Sequence, residues 1–131
     1  MTRFMLDADF AIYASEGSPE ALAWFAAHGA EHISMSAIVR AQLEAGAAAI
    51  PSLAADRRRA LSAIAAVVAT EPFPEEAAVA YGRIVDRLGF SRRYANDRMI
   101  AAHAIVLGAA LVTNNAKDFV GIDGLVLERW R

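Results

Sequence analysis

The sequence predicts an α/β fold: a parallel sheet of four to five strands sandwiched between helices. Two observations carry this. Phe4-Met5-Leu6 and Ala109-Ala110-Leu111-Val112-Thr113 are short unbroken apolar runs, the composition of strands buried on both faces. The segments between such runs carry helix-start and helix-stop residues, and strands separated by one or two helices assemble into a parallel sheet.

The elements follow in order. The first run ends abruptly at Asp7-Ala8-Asp9, where Asp9 is the better candidate to cap the next helix. Ser18-Pro19-Glu20 places Ser at an N-cap and Pro at the first helical position, opening a helix through about His28 that Gly29 closes. His32-Ile33-Ser34-Met35 reads as the second strand. A helical pattern runs from Ser36 to about Ala49 and stops before Pro51, and another runs from Ser52 to about Val68 with Arg57, Arg58 and Arg59 on its wet side. Glu71-Pro72-Phe73-Pro74 permits only a brief extended piece. A helix then starts at Pro74-Glu75-Glu76 and reaches Leu88, with Gly89 as its stop. Asn96 and Asp97 supply a cap and a first-turn acid for a helix carrying Ile100, Ala101, Ala104 and Ile105 inward, ended by Gly108. After the strand at 109–113, Leu125-Val126-Leu127 forms the last one.

The chain has 131 residues and no cysteine, which argues for one domain over 1–131 without disulfide or thiolate chemistry. Thirty-one alanines make much of the apolar content helix-forming rather than bulky. No uncharged run is long enough to span a membrane, and an acid at position 7 comes too early for a signal peptide, so a cytoplasmic location is expected. A net charge of -2 excludes a basic nucleic-acid coat, yet twelve of the thirteen basic residues are arginine. Five of them lie between Arg83 and Arg98 against two aspartates, a local strip suited to a polyanion or to a solvated face.

Ligands of open α/β sheets bind beyond the carboxyl ends of the strands. Asp7 and Asp9 follow the first strand, Asn114 and Asn115 follow the strand ending at Thr113, and Asp97 opens the helix leading into that strand. Gathered carboxylates repel unless protonated, paired with arginine or bound to a hard cation. Mg²⁺ is often held by one or two carboxylates plus waters and substrate phosphates, a role that fits Asp7 and Asp97. Singly, each acid is more simply a helix cap or a dipole partner. No histidine stands at zinc-ligand spacing: His28 and His32 bracket a turn, and His103 reads as a packing or surface residue. Trp24, Phe25 and Trp130 read as core or interface.

Several stretches together resemble a known family: Met5-Leu6-Asp7-Ala8-Asp9, Ser36-Ala37-Ile38, Asn96-Asp97 with Ile100-Ala101-Ala102-His103-Ala104, and Leu111-Val112-Thr113-Asn114-Asn115 with Asp118-Phe119. They are similar, over nearly the whole chain, to PIN domains of the VapC-type toxin ribonucleases. The resemblance implies a parallel sheet between helices, RNA cleavage dependent on Mg²⁺ or Mn²⁺, a homodimer, and a cognate antitoxin whose tail covers the active site and through which alone DNA is reached. Asp7 and Asp97 match the family's metal-binding aspartates. Gln42 stands where the family has a glutamate, and Asn115 where it often has an aspartate. Amides supply oxygen but no negative charge. Glu44 lies about 200° around the helix from Gln42, on the side of Arg40, and needs a local shift to substitute for it. Asp118 is placed either to reach inward or to cap the turn before Phe119. Asp9, where the family commonly has Asn, adds back one acid. Arg92, Arg93, Tyr94 and Arg98 offer phosphate contacts and one stacking ring for RNA.

Two other functions fit some of these residues. Asp7-Ala8-Asp9 also resembles the opening of haloacid-dehalogenase-type phosphatases, but the only lysine, Lys117, follows Asp97 instead of preceding the last acidic motif. A PIN-like scaffold that has lost the reaction and keeps a binding or regulatory role is consistent with the amides at 42 and 115.

Overall fold

A computed structural model describes residues 2–131. Its central strand is β1 (Arg3–Leu6), in which Phe4, Met5 and Leu6 are all buried, so the run has no polar face. β2 (Ile33–Ser36) and β4 (Ala109–Val112) flank β1, with Met5 opposite both Ser34 and Leu111. β3 (Ala69–Glu71) and β5 (Leu127–Glu128) complete the order β3-β2-β1-β4-β5, and every pairing is parallel. This is the expected architecture, with the five-strand count realised.

Among the described residues six helices connect the strands: α1 (Ala8–Ser15), α2 (Pro19–His28), α3 (Ala37–Ala48), α4 (Ala54–Ala65), α5 (Glu75–Leu88) and α6 (Ala95–Leu107). No helix is long and apolar enough to cross a membrane among the described residues. α2 starts as read, with Pro19 at its first position and the Ser18 hydroxyl accepting from the Ala21 N–H at 3.4 Å. The Ser36 hydroxyl likewise accepts from the Ile38 N–H at 3.1 Å and opens α3.

The boundaries differ from expectation where local chemistry overrides the apolar pattern. Asp7, not Asp9, caps α1, because the helix begins immediately after the strand. α4 starts at Ala54, since Pro51–Leu53 form a tighter 3₁₀ turn, and it ends at Ala65. β3 occupies 69–71 rather than 71–74, because Pro72 and Pro74 have no N–H for the ladder. α6 begins at Ala95 behind Tyr94, so Asn96 lies inside the helix; the Ser91 hydroxyl satisfies the Tyr94 N–H at 3.2 Å. β5 falls at 127–128, in register with Leu111 and Val112. Ile105 is only partly buried, whereas the run Ile100–Ala104, including His103, is fully covered.

The core is aliphatic around the sheet and aromatic at one side. Phe10 packs edge-on against Trp24 and Trp130, with ring centroids 5.2 and 5.3 Å apart. These contacts clamp α1 and α2 to the C-terminal segment and fix α1 where it leaves β1. His103 accepts or donates a 2.8 Å bond with the Ser36 hydroxyl, joining α6 to the start of α3.

Candidate active site

The site is built at the carboxyl ends of the adjacent strands β1 and β4. The Asp7 N–H donates to the Val112 carbonyl at 3.1 Å, extending the ladder one step and locking Asp7 beside Thr113. The Thr113 hydroxyl donates to Asp7 Oδ2 at 2.8 Å and accepts from the Asn115 N–H at 3.1 Å. The Ala8 N–H donates to Asp7 Oδ1 at 2.8 Å. Each Asp7 oxygen therefore receives one hydrogen bond and keeps acceptor capacity for a further ligand. Asp7 is buried, and burial pushes its pKa above the usual carboxylate range; the Thr113 and Ala8 bonds oppose that shift, while Asp9 and Asp118 add to it.

Asp97 sits in the first turn of α6, partly buried. Its pKa is pushed up to about 6, first by burial and then by the charges of Asp7, Asp118 and Asp9. Three separate segments thus bring four acids within electrostatic reach of one another. Asp118 lies in the 3₁₀ turn Ala116–Phe119, where its N–H donates to the Asn115 carbonyl at 2.9 Å, and its charge acts on both Asp7 and Asp97. The Asn115 side-chain amide donates to Asp9 Oδ2, drawing those two residues together.

The remaining candidates divide. Gln42 is on α3 with its Oε1 buried and lacking a hydrogen-bond partner among the described residues; it lines a cavity of about 410 Å³ between α1, α3 and α4. Glu44 is exposed and points to Arg40, 4.0 Å away, so the structure does not bring it to the acids. Arg92 and Arg93 are exposed, Tyr94 and Arg98 are partly buried, and Arg98 donates to the Gly89 carbonyl at 2.9 Å. Sequence reasoning assigned Thr113 no role of its own. A hydroxyl directly after a buried strand, one ladder position from an aspartate, is the signal that finds it.

The donors at the acid cluster are all oxygens, and they are carboxylates held at a cost by burial and mutual repulsion. Such a set suits a hard divalent cation that keeps several waters, and it lacks the imidazole and thiolate ligands typical of structural zinc and of copper sites. Among the described residues, no three His, Cys, Asp or Glu side chains converge closely enough to enclose an ion by themselves. The fit is to a cation held by two carboxylates and completed by water and substrate.

A parallel sheet with acids from three segments gathered at its carboxyl edge defines an α/β protein with an acidic, ion-suited site. The chain belongs to the PIN domain family, whose sequence profile matches residues 4–125. It is similar to Ribonuclease VapC2 of Rickettsia felis, 57% identical over 35 residues, an alignment spanning 27% of this chain and about a quarter, 26%, of that relative's length. Among solved structures, the crystal structure of VapBC2 from Rickettsia felis bound to a promoter DNA fragment matches with a TM-score of 0.85 and 28% identity, covering 99% of this chain and all of that one. DNA-bound VapBC from Salmonella typhimurium matches with a TM-score of 0.87 and 26% identity over the full length of both chains. VapBC-1 from nontypeable Haemophilus influenzae matches at 0.80 and 27% over 98% of each. Family membership sets aside the phosphatase alternative.

Proposed function

We propose that this chain is an endoribonuclease dependent on Mg²⁺ or Mn²⁺, acting as the toxin of a toxin-antitoxin pair in the cytoplasm. One observation carries the reading: at the carboxyl edge of the sheet, burial and the charges of Asp7, Asp118 and Asp9 together push Asp97 up to about 6. The VapBC names and DNA-bound states of the similar structures support a cognate antitoxin as partner, with DNA reached through it. A homodimer is the expected assembly of the toxin.

Asp7 and Asp97 would hold the metal. When bound, the ion supplies a water of lowered pKa as nucleophile and offsets charge developing on the phosphodiester. Thr113 fixes the Asp7 carboxylate through Oδ2. Asp118 and Asn115 orient waters around the site, with Asn115 also steering Asp9; Gln42 lines the cavity between α1, α3 and α4, which none of the four acids borders, and is given no part. Glu44, turned to Arg40, is given no part. Arg92 and Arg93 hold substrate phosphates, and Arg98 with Tyr94 shapes the turn that presents them.

Purified protein freed of its partner is expected to cut structured RNA in Mg²⁺ or Mn²⁺, to stop in EDTA and to resume when Mn²⁺ is restored. Cleavage indifferent to EDTA would contradict the metal assignment. Thr113→Val keeps the side chain's shape but strands Asp7 Oδ2 and the Asn115 N–H. Because such supporting bonds typically carry 10- to 100-fold in activity or metal affinity, a loss of about that size is expected, with Thr113→Ser retaining most of the rate. Cleavage kinetics of the two variants at fixed Mn²⁺ check this; equal rates for Val and wild type would remove Thr113 from the site. The amides at 42 and 115 favour a second reading, a binding scaffold without catalysis, whose signature is RNA bound but never cut.

A further inference from the structure

The turn between α5 and α6 displays Phe90, the most exposed aromatic ring among the described residues at 71%. The turn itself is tied down on both sides of this residue. Gly89, at φ +82°, closes α5 with its N–H on the Val85 carbonyl at 2.8 Å, and its own carbonyl accepts from Arg98 at 2.9 Å. The Tyr94 N–H donates to the Ser91 hydroxyl at 3.2 Å, and Arg87 pairs with Asp123 beneath the turn. None of these bonds involves the Phe90 side chain, so the turn holds its shape while an apolar ring stays in water.

The surroundings are cationic. No acid lies between Arg87 and Asn96, and Arg92 and Arg93 are exposed without an acidic partner within 4.0 Å among the described residues. Tyr94, the other ring of this segment, already has guanidinium groups over it, Arg93 at 5.2 Å and Arg98 at 5.5 Å from its centroid. Its face is taken, and Phe90 is the ring left to receive a planar partner. Arg98 links the turn to the acid site, since it holds Gly89 and follows Asp97 directly in the chain. An exposed ring among arginines without acidic partners suits a base stacked between phosphates, and the residues that follow it in the turn, Ser91, Arg92 and Arg93, are polar.

We propose that Phe90 is a stacking platform for an unpaired base of the RNA substrate, with Arg92 and Arg93 holding the adjacent phosphates. The inference rests on the nuclease reading above for its substrate class. It makes Phe90 a determinant of where the RNA must be single-stranded relative to the cut.

A hairpin RNA with 2-aminopurine in its loop tests it, using the Asp97→Asn chain so that the RNA stays intact. Saturable quenching is expected, and Phe90→Ala should weaken binding about tenfold, the order that loss of one base-aromatic stack produces. Phe90→Trp should restore it, whereas Phe90→Leu, apolar but without a ring, should behave like Ala. In the Asp97-containing chain, Phe90→Ala should raise KM by a similar factor with a smaller change in kcat. Replacing Arg92 and Arg93 by Ala should instead flatten the dependence of log Kd on log salt by about 1.4 for two phosphates. Unchanged Kd in Phe90→Ala, equal binding by the Leu and Phe chains, or a defect confined to antitoxin capture overturns the proposal. Phe90-dependent binding by a wild-type chain that never cuts RNA would leave the stacking site standing and sink the nuclease reading alone.

Discussion

Asp97→Asn is expected to lower RNA cleavage by more than about a hundredfold, since even residues that only support a metal's ligands carry 10- to 100-fold. The same substitution should raise the melting temperature of the metal-free protein by a few degrees at pH 7.5. Both effects have one origin. Asp97 is pushed up to about 6 because burial and the charges of Asp7, Asp118 and Asp9 disfavour its ionised form, and at pH 7.5 it is ionised nonetheless. Asparagine keeps the shape and removes that charge. Residues arranged for a cation are a burden to the fold without one, so loss of activity and gain of metal-free stability should appear together. Cleavage rates and thermal melts in EDTA check the pair, and a variant that loses activity by melting lower would assign Asp97 a structural role instead.

The stability gap between Asp97→Asn and wild type should depend on pH in a defined direction. Between the ordinary aspartate value of 3.8 and about 6, the folded chain binds a proton at Asp97 that the unfolded chain has released. Protonation there favours the folded state, so this contribution is fully present below 3.8 and is lost as pH rises through about 6. The wild type should therefore lag the variant most at pH 7.5, close much of the gap by pH 4.5 and nearly match it only once the pH falls below 3.8. The comparison between the two chains isolates Asp97, because His103 responds oppositely. Burial holds its pKa below the usual imidazole value, and acidification through that range destabilises both chains alike. Saturating Mg²⁺ should raise the wild-type melt at pH 7.5 and do little for the variant, as expected for a ligand bound only by the folded wild type. A gap that widens on acidification would contradict burial and acid repulsion as the origin of the Asp97 shift.

Much of the fold is legible because its central strands have no wet face. Phe4-Met5-Leu6 and the run from Ala109 announce themselves as buried strands, and Ser18-Pro19 and Ser36 mark helix starts that the structure reproduces. What was displaced lies at boundaries set by groups that an apolar pattern does not register. Missing N–H groups at Pro72 and Pro74 move β3 forward, and the Ser91 hydroxyl lets α6 begin before Asn96. The candidate site was legible in its acids, since position after a strand places Asp7 and the helix start places Asp97. Thr113 escaped because its role is a contact across 106 residues of chain, visible only once β1 and β4 are paired. Phe90 escaped because sequence alone does not say which of two aromatic rings in an arginine-rich turn is already covered.

Calorimetric titration of Mn²⁺ into the metal-free wild-type chain at pH 7.5 tests the central claim most directly, since it asks whether the gathered carboxylates hold a cation. Saturable binding is predicted, strongly weakened in Asp7→Asn and in Asp97→Asn and fading as pH falls through about 6, where Asp97 takes up a proton. A wild-type chain that shows no saturable Mn²⁺ binding, or that binds equally well without either aspartate, would contradict a metal site built on this pair.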